Sequence, residues 1–306
     1  MRHVLSVLDL SPAEIEKIFA LSADLKQKLS AGVREPLLPG RVMALLFDKP
    51  SLRTRVSFES LMAHLGGNSL FLGQDVGWGK GREPIADFAQ VLSGYVDVIV
   101  CRTNEHSRIE ELAKHSRCPV INGLTDFSHP CQALADLFTL REIFGKLAGR
   151  KFAFVGDANN VARSLAELCG LLGMEFAIAA PKGYQFGDDF FAELKQVAPG
   201  MKISQTADPQ AAVKGASCVY TDVWTSMGQE AEKETRLKAF ADYQVNAALM
   251  KHALPEAKFL HCLPAHRGEE VTAEVIDGPQ SAVLEEAANR LHVQKGLTAW
   301  LLGAKV

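Results

Sequence analysis

The chain has 306 residues, 47% of them hydrophobic and 23% charged, with a formal net charge of -3. That length exceeds one ordinary core and predicts two α/β domains, while the balanced charge leaves no case for a nucleic-acid surface or a disordered tail. No stretch approaches the roughly 20 apolar residues of a membrane span, and Met1 to Leu10 has no apolar leader behind it, so a cytoplasmic protein without membrane attachment is expected.

Short apolar, β-branched runs alternate with longer amphipathic stretches, the βαβ rhythm of parallel sheets. In chain order, strands are predicted over Val42 to Phe47, Val96 to Cys101, Val120 to Asn122, Phe152 to Val155, Phe176 to Ala179, Cys218 to Tyr220 and Phe259 to Leu260. Helices are predicted over Pro12 to Leu29, Thr54 to Leu65, Ile85 to Gly94, Gln132 to Phe144, Ala162 to Leu172, Asp188 to Val197 and Ser281 to Leu301. The domain boundary is expected within Gln132 to Phe144, a stiff connection, because no Ser/Gly linker occurs. The six cysteines are scattered with no CxxC pair, which predicts buried, inert thiols and neither a zinc site nor a disulfide framework.

In open parallel sheets ligands sit beyond the carboxyl ends of the strands, so the residues after each predicted strand carry the functional argument. After Val42 to Phe47 comes Ser51-Leu52-Arg53-Thr54-Arg55. A Ser N-cap, free N–H groups at a helix start and two guanidinium groups suit a phosphate, although a capped helix with solvated arginines accounts for the same residues. It is not a P-loop, since GxxxxGK[ST] is absent. Arg102 closes the next strand, and His129-Pro130-Cys131-Gln132 opens the boundary helix. Each alone reads as a rim charge or a turn. Together they supply a cation or a donor at three strand ends.

The second half carries different chemistry. Phe152 to Val155 runs into Gly156-Asp157-Ala158-Asn159-Asn160, whose side-chain amides suit a zwitterion's carboxylate; the GxGxxG of a dinucleotide site is missing there. Asp222 follows Cys218 to Tyr220 and either meets an ammonium group or caps the next helix. Phe259-Leu260 leads into His261-Cys262-Leu263-Pro264-Ala265-His266-Arg267-Gly268, where a cysteine near histidines invites a thiol-nucleophile reading that lacks an independently placed base. Gly77 to Gly81 reads as a mobile loop.

Taken together, SxRTR at Ser51 to Arg55, HPCQ at His129 to Gln132, DxxxSMG at Asp222 to Gly228 and HCLPxHRG at His261 to Gly268 resemble the aspartate/ornithine carbamoyltransferase family, specifically its ornithine branch. The resemblance spans essentially the whole chain. It implies two doubly wound parallel-sheet domains joined by helices: residues 1–133 binding carbamoyl phosphate, with the C-terminal helix 288–306 packing back on them, and residues 134–287 binding ornithine. It also implies a homotrimer or a multiple of trimers, no metal and no cofactor.

By motif position the resemblance assigns carbamoyl phosphate to Ser51, Leu52, Arg53, Thr54, Trp78, Arg102, His129, Pro130, Cys131, Gln132, Cys262, Leu263 and Arg290. It assigns ornithine to Asn160, Asp222, Ser226 and Met227, and places catalysis on Arg102, His129, Asp222 and Cys262. The implied reaction moves the carbamoyl group onto the δ-amine of L-ornithine, giving L-citrulline and phosphate. The chain departs from the pattern around one loop, which is glycine-enriched and followed by Phe88 in place of a usual threonine. Trp78 stands where ornithine enzymes usually carry a glutamine, which admits an N-acylated ornithine or another amine as the alternative acceptor; an NAD-dependent oxidoreductase and a non-catalytic relative are the rivals from other classes.

Overall fold

The computed structural model describes residues 1–304 apart from positions 74, 75, 77, 79–81 and 226–229. The chain divides into two compact units, residues 1–138 with 288–306, and residues 139–287.

The first unit runs α1 (Pro12–Ser30), β1 (Val42–Phe47), α2 (Leu52–His64), β2 (Asn68–Leu72), α3 (Ile85–Leu92), β3 (Val98–Arg102), α4 (His106–His115), β4 (Val120–Leu124) and then α5 (Pro130–Phe144), within which the chain passes to the second unit. Its parallel sheet has the order β2-β1-β3-β4. β3 is wholly buried and β1 is buried from Met43 to Phe47, as expected of strands covered by helices on both faces. Ser51 caps α2 by accepting the Thr54 N–H, and the helix stops before Gly66, whose φ of 80° favours glycine.

The second unit runs β5 (Lys151–Val155), α6 (Asn160–Leu171), β6 (Glu175–Ala179), α7 (Asp188–Val197), β7 (Ile203–Thr206), α8 (Pro209–Val213), β8 (Cys218–Tyr220), α9 (Lys233–Phe240), α10 (Ala247–Met250), β9 (Lys258–Leu260) and α11 (Ala273–Ile276). α12 (Val283–Leu301) starts here and carries the chain back. The parallel sheet is ordered β7-β6-β5-β8-β9. One apolar face packs Ala153, Val155 and Val219 against Trp224, Phe240 and Phe259, and on the sheet Tyr220 stacks on Phe154 at 5.5 Å between centroids.

Both sheets are parallel and flanked by helices, as the sequence predicts. Each reverses its strand order once, between β1 and β3 in the first and between β5 and β8 in the second. Those switch points are where such sheets open to ligands.

Candidate active site

In the first unit, three predicted segments meet at one sheet edge because β1, β3 and β4 end in register, with Phe47 opposite Arg102 and Arg102 opposite Leu124. β1 leads to the α2 N-terminus with Ser51, Leu52, Arg53 and Thr54; Arg102 is the last residue of β3; His129 accepts from the Gln132 and Ala133 N–H groups as α5 begins at Pro130. Arg290, on α12, donates to Gln132 Oε1 at 2.5 Å and to Thr54 Oγ1 at 3.3 Å, and Gln132 passes the contact on to Asp136 Oδ1 at 2.7 Å. The buried guanidinium is thus fixed by neutral groups, with the nearest carboxylate of this chain of contacts one residue removed.

The charged groups that shift Arg102 and His129 are cations. Burial, then Arg290 and Arg53, brings Arg102 down to about 10, so it stays charged at neutral pH. Burial, followed by Arg290, Arg102 and Arg53, holds His129 well below the ordinary histidine range. His129 is therefore a neutral imidazole that can donate one N–H without carrying a charge of its own. Two helix N-termini and three guanidinium groups make an anion site. Cys131 opens α5 as a buried thiol, pushed up to about 12, and has no nucleophilic character.

In the second unit the ends of β5, β8 and β9 lie side by side, with Phe154 opposite Tyr220 and Tyr220 opposite Leu260. Gly156 turns the chain after β5 with a φ of 146°. Asn159 then caps α6, its Oδ1 accepting the Val161 and Ala162 N–H groups at 3.0 Å, while its Nδ2 donates to Asp222 Oδ2 at 2.9 Å. The expectation that both amides of Asn159-Asn160 grip a substrate carboxylate is corrected here: the Asn159 amide is committed to the cap and to Asp222. Asn160 follows as the first residue of α6. Asp157 is likewise engaged, in an ion pair with Arg236.

Asp222 accepts from its neighbour Val223 N–H at 2.8 Å and from Cys262 Sγ at 3.0 Å, both through Oδ1. It caps no helix. Cys262 is thus the S–H donor of this pair. Leu263 follows with its N–H on His261 Nδ1 at 2.9 Å. Asp222, His261 and Cys262 bring one donor atom each within 4.8 Å of one another, but both His261 ring nitrogens already face partners, so an ion there would have to displace hydrogen bonds.

Two predicted ornithine residues, Ser226 and Met227, lie outside the described residues, as does most of the Gly77 to Gly81 loop. Trp78 is described and sits in the core of the first unit, 3% exposed. Its ring lies 5.3 Å from Phe88, with the Arg108 guanidinium 4.7 Å above it.

Known proteins bear out this two-part arrangement. A model of the aspartate/ornithine carbamoyltransferase carbamoyl-P binding domain matches residues 2–142, and a model of the family's Asp/Orn binding domain matches residues 148–301. The chain belongs to the aspartate/ornithine carbamoyltransferase family. It is 54% identical over 304 residues to the ornithine carbamoyltransferase of Bacillus subtilis, covering 98% of this chain and 94% of the relative. Against the solved structure of the ornithine carbamoyltransferase from Pyrococcus furiosus it superposes with a TM-score of 0.95 at 49% identity, covering 100% of this chain and 98% of the other. The Thermus thermophilus ornithine carbamoyltransferase gives 0.89 at 43%, covering 99% of each chain. Membership in this carbamoyltransferase family disposes of the dinucleotide-dependent reading, in agreement with the missing GxGxxG after β5.

Among the contributing residues, Glu270 had no place in the sequence reading, Asn159 was read there as an amide for a substrate carboxylate, and His261 as a neighbour of Cys262. An Asn pair directly after a strand and before a helix was the available signal for Asn159, as N-cap chemistry. Nothing local marks Glu270.

Proposed function

We propose that the protein transfers the carbamoyl group of carbamoyl phosphate to the δ-amine of L-ornithine, releasing L-citrulline and phosphate. The observation that carries the donor half is the corner of Arg53, Arg102, Arg290 and neutral His129, where every charged group shifting Arg102 and His129 is a cation. Carbamoyl phosphate, with about two negative charges at neutral pH, complements it. The acceptor half rests on Asp222, whose carboxylate suits the free α-ammonium of ornithine and has no counterpart in an acylated nitrogen. Trp78, the residue that spoke for an acylated acceptor, is spent on packing against Phe88 and Arg108.

The reaction needs an unprotonated δ-amine, whose ordinary pKa should be near 10.4 like that of lysine. Asp222 holds the α-ammonium. With that cation in place, the Cys262 thiol releases its proton to solvent, and the resulting thiolate takes one proton from the δ-ammonium. The amine then attacks the carbonyl carbon, a C–N bond forms, and the C–O bond to phosphate breaks. Thr54, Arg102 and His129 donate to the carbonyl oxygen as it becomes an oxyanion, which is where the rate gain arises. Phosphate leaves with the remaining proton. Direct transfer needs no acyl-enzyme, so sequential kinetics are expected.

In this reading Ser51, Leu52, Arg53, Gln132 and Arg290 bind the donor, with Pro130 and Cys131 shaping the α5 entrance, and Asn160, Ser226 and Met227 bind ornithine. The enzyme is assigned to arginine biosynthesis in the cytoplasm, as a homotrimer or a multiple of trimers. The test is citrulline formation from ornithine against acylcitrulline formation from N-acetylornithine, over pH 6 to 9, on sedimented enzyme of known mass. Ornithine activity rising toward roughly pH 8 is expected; a preference for the acetylated amine, or a flat rate with pH, refutes the proposal.

A further inference from the structure

Leu263 has a φ of 55° and is, among the described residues, the one non-glycine residue with positive φ. Side chains with a Cβ rarely adopt that conformation, so the surroundings must impose it. Its N–H donates to His261 Nδ1, an arrangement that requires the ring proton on Nε2. His261 Nε2 faces Glu270 Oε1 at 3.3 Å, and the same oxygen accepts the His266 N–H at 2.5 Å. His261 is 1% exposed and Glu270 0%. On the other side, the His261 N–H donates to Glu286 Oε2 at 2.9 Å, and Glu286 Oε1 lies 3.4 Å from the Tyr220 hydroxyl.

A buried carboxylate is a poor way to gain stability, because a well-packed apolar side chain does as well without desolvation. Burial pushes the Glu270 carboxyl up, but hydrogen bonds from the His261 ring and from backbone N–H groups including that of His266 outweigh it and hold the group below the usual range. Glu270 is thus kept ionised, with the His261 ring on one oxygen and the His266 ring 3.7 Å from the other.

We propose that Glu270 is a positioning residue: acting through His261, it selects the ring tautomer that accepts the Leu263 N–H, and so sets the Cys262 thiol on Asp222. The activity arm of this inference rests on the function proposed above, whereas the thiol arm does not. Without the carboxylate the ring can carry its proton on Nδ1 instead, where it meets the Leu263 N–H donor to donor. The turn then relaxes, and Cys262 leaves Asp222.

The experiment compares wild type, Glu270→Gln and the double variant Glu270→Gln/His261→Asn. An Asn Oδ1 stands close to the position of a histidine Nδ1 and accepts without any tautomer choice. Because the other five cysteines are buried and Cys262 is not, a disulfide-exchange reagent such as DTNB reads Cys262 in the native chain. Glu270→Gln is expected to speed that reaction several-fold and to lower kcat by about 10- to 100-fold, with KM for carbamoyl phosphate unchanged, and the double variant to recover part of both. An unchanged thiol rate overturns the proposal. So does a second reactive thiol in Glu270→Gln, or a double variant no better than the single one, since either means a merely structural role. A faster thiol with normal kcat leaves the positioning role standing and removes Cys262 from the proposed mechanism.

Discussion

Asn159 donates its side-chain amide to Asp222 at 2.9 Å, although 63 positions separate them, while its carbonyl oxygen caps α6. One side chain thus ties a helix start to the carboxylate proposed to receive ornithine. Asn159→Asp keeps a good cap but sets a second carboxylate against Asp222. The helix should survive, with thermal stability close to wild type, while KM for ornithine rises about tenfold or more, in line with roughly 1.4 kcal/mol per decade, and KM for carbamoyl phosphate stays put. Steady-state kinetics with each substrate varied separately decide it.

Arg102 is 7% exposed and faces Arg290 and Arg53 without a compensating acid among the groups that shift it. Burial and those two cations bring it from 12.5 to about 10, a penalty of roughly 3 kcal/mol at most on the folded chain at neutral pH. Arg102→Met keeps much of the stem and removes the charge. It should lower kcat by about 10²- to 10³-fold and yet raise the melting midpoint by a few degrees in phosphate-free buffer. Added phosphate should stabilise the wild type more than the variant. A variant that melts lower under both conditions contradicts the electrostatic account.

Besides Arg290, α12 carries another buried cation. Lys295 is brought from 10.5 to about 8 by burial and then Arg34, and His292 from 6.5 to about 4 by burial, then Lys295, Lys26 and His64. Between about pH 8 and 10.5 the unfolded chain still binds the Lys295 proton that the folded chain has released, so this group makes stability rise with pH across that window. Between about 4 and 6.5 His292 acts in the same sense, and stability falls as the solution is acidified. Lys295→Met should be more stable than wild type at pH 7 and should lose the alkaline slope. Urea denaturation at pH 7 and pH 9.5 measures both; an undiminished slope in the variant rules the explanation out.

Trp78 is the position where the motif pattern and the packing disagree most usefully. Its indole, buried against Phe88 and under Arg108, behaves as a core residue. Trp78→Gln is expected to destabilise the chain by about 3 kcal/mol, the range for truncating a buried aromatic ring. It should leave the ratio of ornithine to N-acetylornithine turnover within about threefold, or roughly 0.7 kcal/mol. A large change in that ratio would return Trp78 to the acceptor site.

What could be read from the sequence follows from how locally each feature is encoded. The central strands β1, β3, β5 and β8 show as continuous apolar runs because both their faces are covered, and the Ser51 cap shows because the N–H it accepts is only three residues away. β2 and β7 escaped because they are partly exposed edge strands without such a run. The helices α8, α10 and α11, of four or five residues, are too short to display a period. In the site, the motif residues at strand ends were legible. The pairs Asn159–Asp222 and Cys262–Asp222 were not, since each depends on which strands become neighbours, and that is decided by the strand order β5-β8-β9.

The two sheets carry opposite signs at their carboxyl ends: guanidinium groups and, after β4, a neutral imidazole in the first unit, a carboxylate after β8 and a thiol after β9 in the second. A separation of that kind lets the two halves of a reaction diverge at different speeds. Descendants of such a chain can exchange one amine for another through changes behind β8 alone, while the apparatus for the carbamoyl donor is inherited unaltered.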